Sequence, residues 1–368
     1  MSWPVVKLGD VAERVDYGLT ASAKEDNEGP RFLRITDMQD DAVDWSTVPS
    51  CECSEKEFKE NELSVGDIVF ARTGATTGKS FLIRHLPRPS VFASYLIRVR
   101  PTDEVDSKYL AYFFKSPQYW FQITAMAEGA AQPGVNSSKL KELEIPLPPL
   151  PEQKRIAAIL DKADAIRRKR QQAIQLADDF LRAVFLDMFG DPVTNPKGWE
   201  VKPIGDVLKL SSGNGLSAKD MDSSGSYPVY GGNGINGYHS EYMFKEPQLV
   251  IGRVGAYCGV VHITQPYSWV TDNALYVKNL DQDVNVHYLA KLLDISNLNQ
   301  YAGKAAQPLV SGSRIYPLEM IFPPLQEQLK FEDVKVKYLE SAKGFDFALL
   351  EAEAMFSSLS QKSFRGEL

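Results

Sequence analysis

Two stretches of this chain repeat one another. Met126-Ala-Glu-Gly-Ala-Ala-Gln-Pro133 leads to Ile145-Pro-Leu-Pro-Pro-Leu-Pro-Glu-Gln153, and Tyr301-Ala-Gly-Lys-Ala-Ala-Gln-Pro308 leads to Ile321-Phe-Pro-Pro-Leu-Gln-Glu-Gln328. The Ala-Gln-Pro and Glu-Gln elements keep one offset of 175 positions (306 − 131 and 327 − 152). A fixed offset across two separate elements points to an internal duplication. Duplicated chains tend to be pseudo-symmetric, and pseudo-symmetric chains suit two-part targets.

Further pairs extend the repeat. Trp3-Pro-Val-Val-Lys-Leu-Gly-Asp-Val11 matches Trp199 to Val207, Asp67-Ile-Val-Phe-Ala-Arg-Thr-Gly74 matches Gln248-Leu-Val-Ile-Gly-Arg-Val-Gly255, and Tyr109-Leu-Ala111 matches Tyr288-Leu-Ala290. Their offsets drift, through 196, 181 and 179, before settling at 175. Each copy therefore carries its own loops on a shared frame. Both copies begin with short apolar runs broken by glycines, which predict strands, and continue with a helix, at 107–114 in the first and 286–293 in the second.

A long helix is predicted after each Pro-rich exit. No Gly or Pro interrupts 152–189, Pro151 sits at a favoured helix start, and Gly190-Asp-Pro192 stops it. A seam steps by threes and fours through Ile156, Ile159, Ala163, Ile166, Arg170, Ala173, Ala177, Phe180 and Val184, apolar at all but Arg170. Adding 175 gives Phe331, Val334, Tyr338, Phe345, Met355 and Leu359 within a seam of the same register. We expect these seams to pack on one another, antiparallel, as a spacer; each helix packing on its own globular part is the alternative. A helix of this length spans on the order of 55 Å. Gly344 interrupts the second helix and marks a candidate kink. The expected architecture is α+β, with two similar mixed α/β domains at 1–150 and 191–325 and two helical spacers at 151–190 and 326–368.

The 368 residues suffice for two or three domains, and hydrophobic and charged fractions of 43% and 24% describe an ordinary globular protein. No apolar run reaches membrane-span length, and Met-Ser-Trp-Pro does not read as a signal peptide, so a cytoplasmic location is expected. The net charge of −7 argues weakly against nucleic acid, since local fields outweigh the sum, and basic residues cluster at Arg167-Arg-Lys-Arg170.

Arg72-Thr-Gly-Ala-Thr-Thr-Gly-Lys-Ser80 superficially resembles a phosphate loop, but only three residues separate Gly74 from Gly78 where that loop needs four. A turn that carries Arg72, Thr73, Thr76 and Lys79 towards nucleic acid is one reading, and a purely structural turn is the other. In Tyr227 to Tyr238, Tyr230, Asn233 and Asn236 suit base or sugar contacts, or the Gly-Asn alternation serves tight turns alone. Asn136-Ser-Ser-Lys139 and Ser311-Gly-Ser-Arg314 suit phosphate contacts through Lys139 and Arg314, with Asn136 alternatively a helix cap. Metal, triad, dinucleotide and adenine-pocket motifs are missing from the sequence, which leaves no catalytic or metal-binding candidate.

The Pro-Leu-Pro-x-Leu-x-Glu-Gln-x-x-Ile pattern, whose Pro-x-Leu-x-Glu-Gln part recurs in the second copy, resembles the specificity subunit of Type I restriction-modification systems, together with Leu8-Gly-Asp-Val11, Phe32-Leu-Arg-Ile-Thr-Asp-Met38 and Asp67 to Lys79. The resemblance implies two target-recognition domains, each reading half of a split, asymmetric site in double-stranded DNA. It also implies conserved helices that fix the gap and dock two methyltransferase subunits, with restriction and translocase subunits joined through them. S-adenosylmethionine, ATP and Mg²⁺ would belong to those partners, and this chain would hold no cofactor and perform no catalysis. By position in the family, Arg253 and Tyr257 join the residues around Arg72 in the DNA-facing loops. The second helix departs from the family's usual apolar start, reading Leu329-Lys-Phe-Glu-Asp-Val334. A non-enzymatic scaffold, with a protein-binding rod and peptide-binding ends, is the alternative function.

Overall fold

The computed structural model describes residues 3–25, 28–39, 41–127, 134–222, 224–303 and 308–368. Contacts group them into two compact units, 1–171 with 348–368, and 172–347. Each unit joins one globular part to stretches of both long helices.

In the first unit the chain runs through β1 (Val5–Lys7), β2 (Ala12–Tyr17), β3 (Arg31–Leu33), β4 (Met38–Gln39), β5 (Ala42–Val43), α1 (Glu55–Asn61), β6 (Ile68–Ala71), β7 (Ser80–Leu82), β8 (Ser90–Phe92), β9 (Leu96–Pro101), α2 (Ser107–Phe113), α3 (Pro117–Ala127), α4 (Ser137–Lys141), β10 (Glu144–Pro146) and the start of α5 (Leu150–Phe189). Strands β2-β9-β6-β7 form an antiparallel sheet in that order, β3 pairs parallel with β8, and β1 pairs antiparallel with β10.

The second unit begins within α5 and continues with β11 (Glu200–Pro203), α6 (Ile204–Val207), β12 (Leu208–Ser212), β13 (Tyr227–Gly231), β14 (Gly234–His239), β15 (Leu249–Gly252), β16 (Val261–Ile263), β17 (Trp269–Val270), β18 (Ala274–Leu280), α7 (Val286–Ile295), α8 (Gly312–Ile315), β19 (Glu319–Phe322) and α9 (Leu325–Arg365), the last of which ends in the first unit. Its sheet order, β12-β18-β15-β16, reproduces the first, as do the parallel β13–β17 and antiparallel β11–β19 pairs. The central strands explain the shared plan: all four residues of β6 and of β15 are buried, which suits apolar runs covered on both faces.

The repeated sequence elements have a mechanical explanation. Gln153 is 1% exposed and accepts from the Asp106 N–H at 2.9 Å while donating to the Glu104 and Pro148 carbonyls. Gln328, also 1% exposed, accepts from the Asn285 N–H at 2.8 Å and donates to the Asp283 and Pro323 carbonyls. The repeated tyrosines complete each latch, with Tyr109 donating to the Pro146 carbonyl and Tyr288 to the Ile321 carbonyl. A buried amide ties each long helix to the loop that enters α2 or α7. Asp106 and Asn285 cap those helices by accepting from backbone N–H groups in the first turn.

The long helices are continuous over 40 and 41 residues. Their burial departs from the predicted seams. Ile156, Ala163 and Phe331 are buried, and Ile159, Ala173, Val184, Val334, Tyr338, Phe345 and Leu359 are half-buried. Ile166, Phe180 and Met355 are exposed, at 44%, 54% and 40%. Burial falls instead on Ala157, Leu160, Leu181, Phe185 and Phe189, because the helix ends turn a broad face into the globular cores. The packing of each helix on globular parts is thus present at both ends, together with helix–helix contact. In the first unit Arg155 reaches the Leu368 carbonyl and Arg167 lies 5.4 Å over the Phe356 ring. In the second, Tyr338 donates to Asp178 at 2.8 Å, and Phe185 meets Phe331 at 5.4 Å between ring centroids. Within each unit the α5 and α9 segments therefore run in opposite directions.

Gly344 lies inside α9 without breaking it, and a Cβ built there meets nothing within 4 Å. Gly344→Ala should stabilise the chain by about 0.5–1 kcal/mol through helix propensity. Urea titration of both proteins checks the sign.

One buried charge distinguishes the units. Arg98 on β9 is 0% exposed, forks onto both Asp16 oxygens and donates to the Glu60 and Glu62 carbonyls. It pairs with Val69, and Tyr276, which pairs with Val250, takes its place in the second unit, packed on Phe244. Arg98→Ala should cost about 3 kcal/mol, because the Asp16 carboxylate loses its forked donor, while the Glu60 and Glu62 carbonyls keep only Arg14 and Arg100. Chemical denaturation should show the loss, with Tyr276→Ala behaving as an ordinary cavity variant.

Candidate nucleic-acid interface

Arg72 leaves the sheet at the end of buried β6 and enters a 3-10 turn, Gly74–Thr76. Gly74 has φ +80° with open space around its Cβ position, so backbone conformation alone selects glycine there. The Gly78 N–H donates to the Ala71 carbonyl and the Lys79 N–H to the Thr76 carbonyl, which closes the turn. Thr73 bridges to Gly134, and Val135 N–H donates to the Arg72 carbonyl at 3.1 Å. The side chains of Arg72, Thr73 and Lys79 are thus presented outward, with Thr76 half-buried. The Arg72 guanidinium sits 4.9 Å over the Tyr17 ring. Partial burial pushes the Tyr17 hydroxyl up, but the Ser137 N–H it accepts from and the Arg72 charge outweigh that and lower its pKa below the usual tyrosine value.

The second unit builds the same frame around Arg253. It follows buried β15 and precedes a 3-10 turn, Gly255–Tyr257, with Gly255 at φ +76°. Gly259 N–H donates to the Gly252 carbonyl and Val260 N–H to the Tyr257 carbonyl. Val254 bridges to Leu309, and Val310 N–H donates to the Arg253 carbonyl at 2.9 Å. Each arginine N–H donates to a turn between the parallel-paired strand and the next one, to Tyr95 in the first unit and Asn273 in the second.

The frames match and the faces do not. Beside Arg72 stand Tyr17, Tyr95 and Lys79, with Tyr17 and Tyr95 38% and 39% exposed. In the corresponding places beside Arg253 stand Ser212, Asn273 and Val260. The Arg253 guanidinium donates to the Ser212 hydroxyl at 3.2 Å and the Asp272 carbonyl at 3.3 Å. Tyr257, 49% exposed, occupies the place of Thr76. Tyr17, Tyr95, Ser212, Asp272 and Asn273 escaped the sequence reading. The signal for them was the alignment of Tyr17-Gly18 with Ser212-Gly213. A Cβ at either glycine would come within 2.2 Å of a carbonyl at the end of the neighbouring strand, Phe92 or Val270, so both sites demand glycine and fix the register.

Several expected contact residues do other work. Tyr230 is 6% exposed and its hydroxyl accepts from the Gln265 N–H, so it is a core residue whose pKa burial raises. Asn136 caps α4 by accepting from the Lys139 N–H at 2.8 Å. Lys139 donates to the Met126 carbonyl at 2.5 Å, and Arg314 reaches the Tyr301 carbonyl at 3.4 Å. These two basic residues, 175 apart, hold the carbonyl ends that lead into the Ala-Gln-Pro elements, where a positive charge is favourable. Those elements, apart from Pro308, lie outside the described residues. Asn236 folds its amide over Gly231 and is exposed, as is Asn233 at the β13–β14 turn. Gly232 in that turn packs on Gly252, which puts Asn233 beside the Arg253 turn.

The model of the family described as "Type I restriction modification DNA specificity domain" matches residues 1–176 and 196–336, once over each globular part. The chain belongs to the Type I restriction-modification DNA specificity family. Similar family members include the Type I restriction enzyme EcoprrI specificity subunit of Escherichia coli, 28% identical over 77% of this chain and 72% of that one. The EcoKI specificity subunit of Escherichia coli strain K12 is 24% identical over 92% of this chain and 82% of its own. The putative MjaX specificity subunit of Methanocaldococcus jannaschii is 28% identical over 56% of this chain, a match spanning 49% of its length. The crystal structure of a Type I restriction-modification S subunit from M. genitalium shares the fold, with a TM-score of 0.61 at 15% identity over 99% of this chain and 96% of that one. The family's two matched domains coincide with the two Arg-centred frames. No helix among the described residues is long and apolar enough to cross a membrane.

Proposed function

We propose that this chain is the sequence-reading subunit of a Type I restriction-modification complex, with each unit reading one half of a split, asymmetric DNA site. One observation carries this reading. An arginine recurs at the same point of the same backbone frame, Arg72, exposed, in one unit and Arg253, half-buried, in the other, among unlike neighbours. A constant frame positions a fork of donors suited to guanine edges or phosphates, and changing neighbours alter what is read. The opposed α5 and α9 segments support a second part of the proposal: the two helices form an antiparallel rod that sets the gap between half-sites. Each helix of about 60 Å could span more than one turn of duplex.

In this reading the chain performs no reaction. Two adenine-N6 methyltransferase subunits dock on it and bring S-adenosylmethionine, and restriction and translocase subunits joined through them use ATP and Mg²⁺. A methylation assay with the assembled complex on random-sequence duplexes tests it. Methylation confined to one bipartite sequence is expected, and methylation without sequence preference would end the proposal.

A further inference from the structure

Asp272 has no place in a simple phosphate-binding account. It lies in the turn between β17 and β18, next to Asn273, whose carbonyl accepts from the Arg253 N–H. The turn is held firmly. Thr271 N–H donates to the Tyr230 carbonyl, Ala274 N–H donates to the Thr271 carbonyl, and Thr271 and Ala274 are 2% and 0% exposed. Only the side chains of Asp272 and Asn273 emerge from it. Arg253 donates to the Asp272 main-chain carbonyl, yet the Asp272 carboxylate makes no hydrogen bond or ion pair with any described residue. Gly215 leaves room beside it, since a Cβ there would come to 3.8 Å from the carboxyl carbon. At the corresponding position of the first unit stands Ser94, which carries no charge.

A duplex presents a dense row of phosphates, so an unpaired carboxylate on the DNA-facing rim is repelled by the backbone. It is compensated only against a hydrogen-bond donor. The donors a duplex offers in its major groove are the exocyclic amino groups, cytosine N4 and adenine N6. We infer that Asp272 is a specificity-determining residue that accepts a hydrogen bond from an exocyclic amino group, so that one base pair of the half-site read by the second unit is fixed, with its cytosine or adenine on the strand that faces the carboxylate. The inference rests on the reading of the Arg253 turn as DNA-facing. Arg253 and Asp272 then act as a donor–acceptor pair against base edges, and Ser94 leaves the first unit without that requirement.

The test maps methylated adenines in cells that express the full chain, wild type or variant, with its methyltransferase partners. D272N replaces half of the acceptor with a donor at nearly constant shape. It should relax or switch the base preference at one position of one half-site, with discrimination there falling about 10-fold or more, and leave the other half-site unchanged. D272E keeps the acceptor and should keep the preferred base at lower occupancy. The identity of the fixed base separates cytosine from adenine as the partner. An unchanged motif in D272N, or a loss spread evenly over all positions, overturns the inference. If D272N abolishes methylation, binding of the purified complex to duplexes varied at each position decides: loss of discrimination at one position supports the inference, and a uniform loss overturns it. R253A separates the two levels of the claim. If R253A leaves the motif intact, the DNA-facing reading itself fails; if R253A disturbs it and D272N does not, only the role of Asp272 fails.

Discussion

Replacing Arg253 with Ala should lower discrimination within one half-site by about 10- to 100-fold, while the half-site served by Arg72 keeps its sequence. The magnitude follows from the loss of a forked base contact, worth about 1–3 kcal/mol. The guanidinium is half-buried and its only bonds to described residues are to the Ser212 hydroxyl and the Asp272 carbonyl, so the fold should barely notice. Arg253→Lys keeps the charge and loses the fork, and it should recover affinity without recovering sequence preference. Arg72→Ala should give the mirror result, with a further weakening because Tyr17 loses the cation on its ring. Equilibrium binding of the assembled complex to duplexes altered in one half at a time measures all three. If both arginines can be removed with no change in sequence preference, weight passes to the scaffold reading.

The largest stability effect should come from the buried glutamines. Gln153→Ala leaves the Asp106 N–H and the Glu104 and Pro148 carbonyls without partners in a site that is 1% exposed. With each orphaned buried group costing on the order of 1–3 kcal/mol, and carbonyls at the low end, the first unit should lose about 2–5 kcal/mol. Its thermal midpoint should fall by roughly 5–15 °C. Gln328→Ala should do the same to the second unit, through Asn285, Asp283 and Pro323. Gln153→Glu is the informative control. A carboxylate can still accept from Asp106 but cannot donate to the two carbonyls, so it should be no better than Ala. Scanning calorimetry that finds Gln153→Glu as stable as wild type would contradict the latch.

These glutamines also show why the fold was legible in the sequence. The Glu-Gln and Tyr-Leu-Ala repeats are conspicuous because the latch needs one amide and one phenol, and both copies keep the pair although the loops between them differ in length. The β-strand runs, the Pro-rich exits and the two long helices were visible for similar local reasons. The helix seams were misjudged at Ile166, Phe180 and Met355, since a strict heptad assumes one partner while these helix ends are shared between a second helix and a globular core. The Arg72 and Arg253 turns were legible through their glycines. Lys139 and Arg314 hold the Met126 and Tyr301 carbonyls, bonds that no local pattern encodes, because a basic side chain at a carbonyl end looks, in sequence, like one that awaits a phosphate. Tyr17, Ser212 and Asp272 were hidden because they reach the site through strand pairing across tens of residues, and no local pattern encodes that meeting.

A long-read map of methylated adenines across the genome of cells carrying the wild-type complex tests most directly for two unlike readers built on one frame. The expected map is a single bipartite motif whose halves differ in sequence and flank a gap of constant length. A continuous site, or two identical halves, would contradict it.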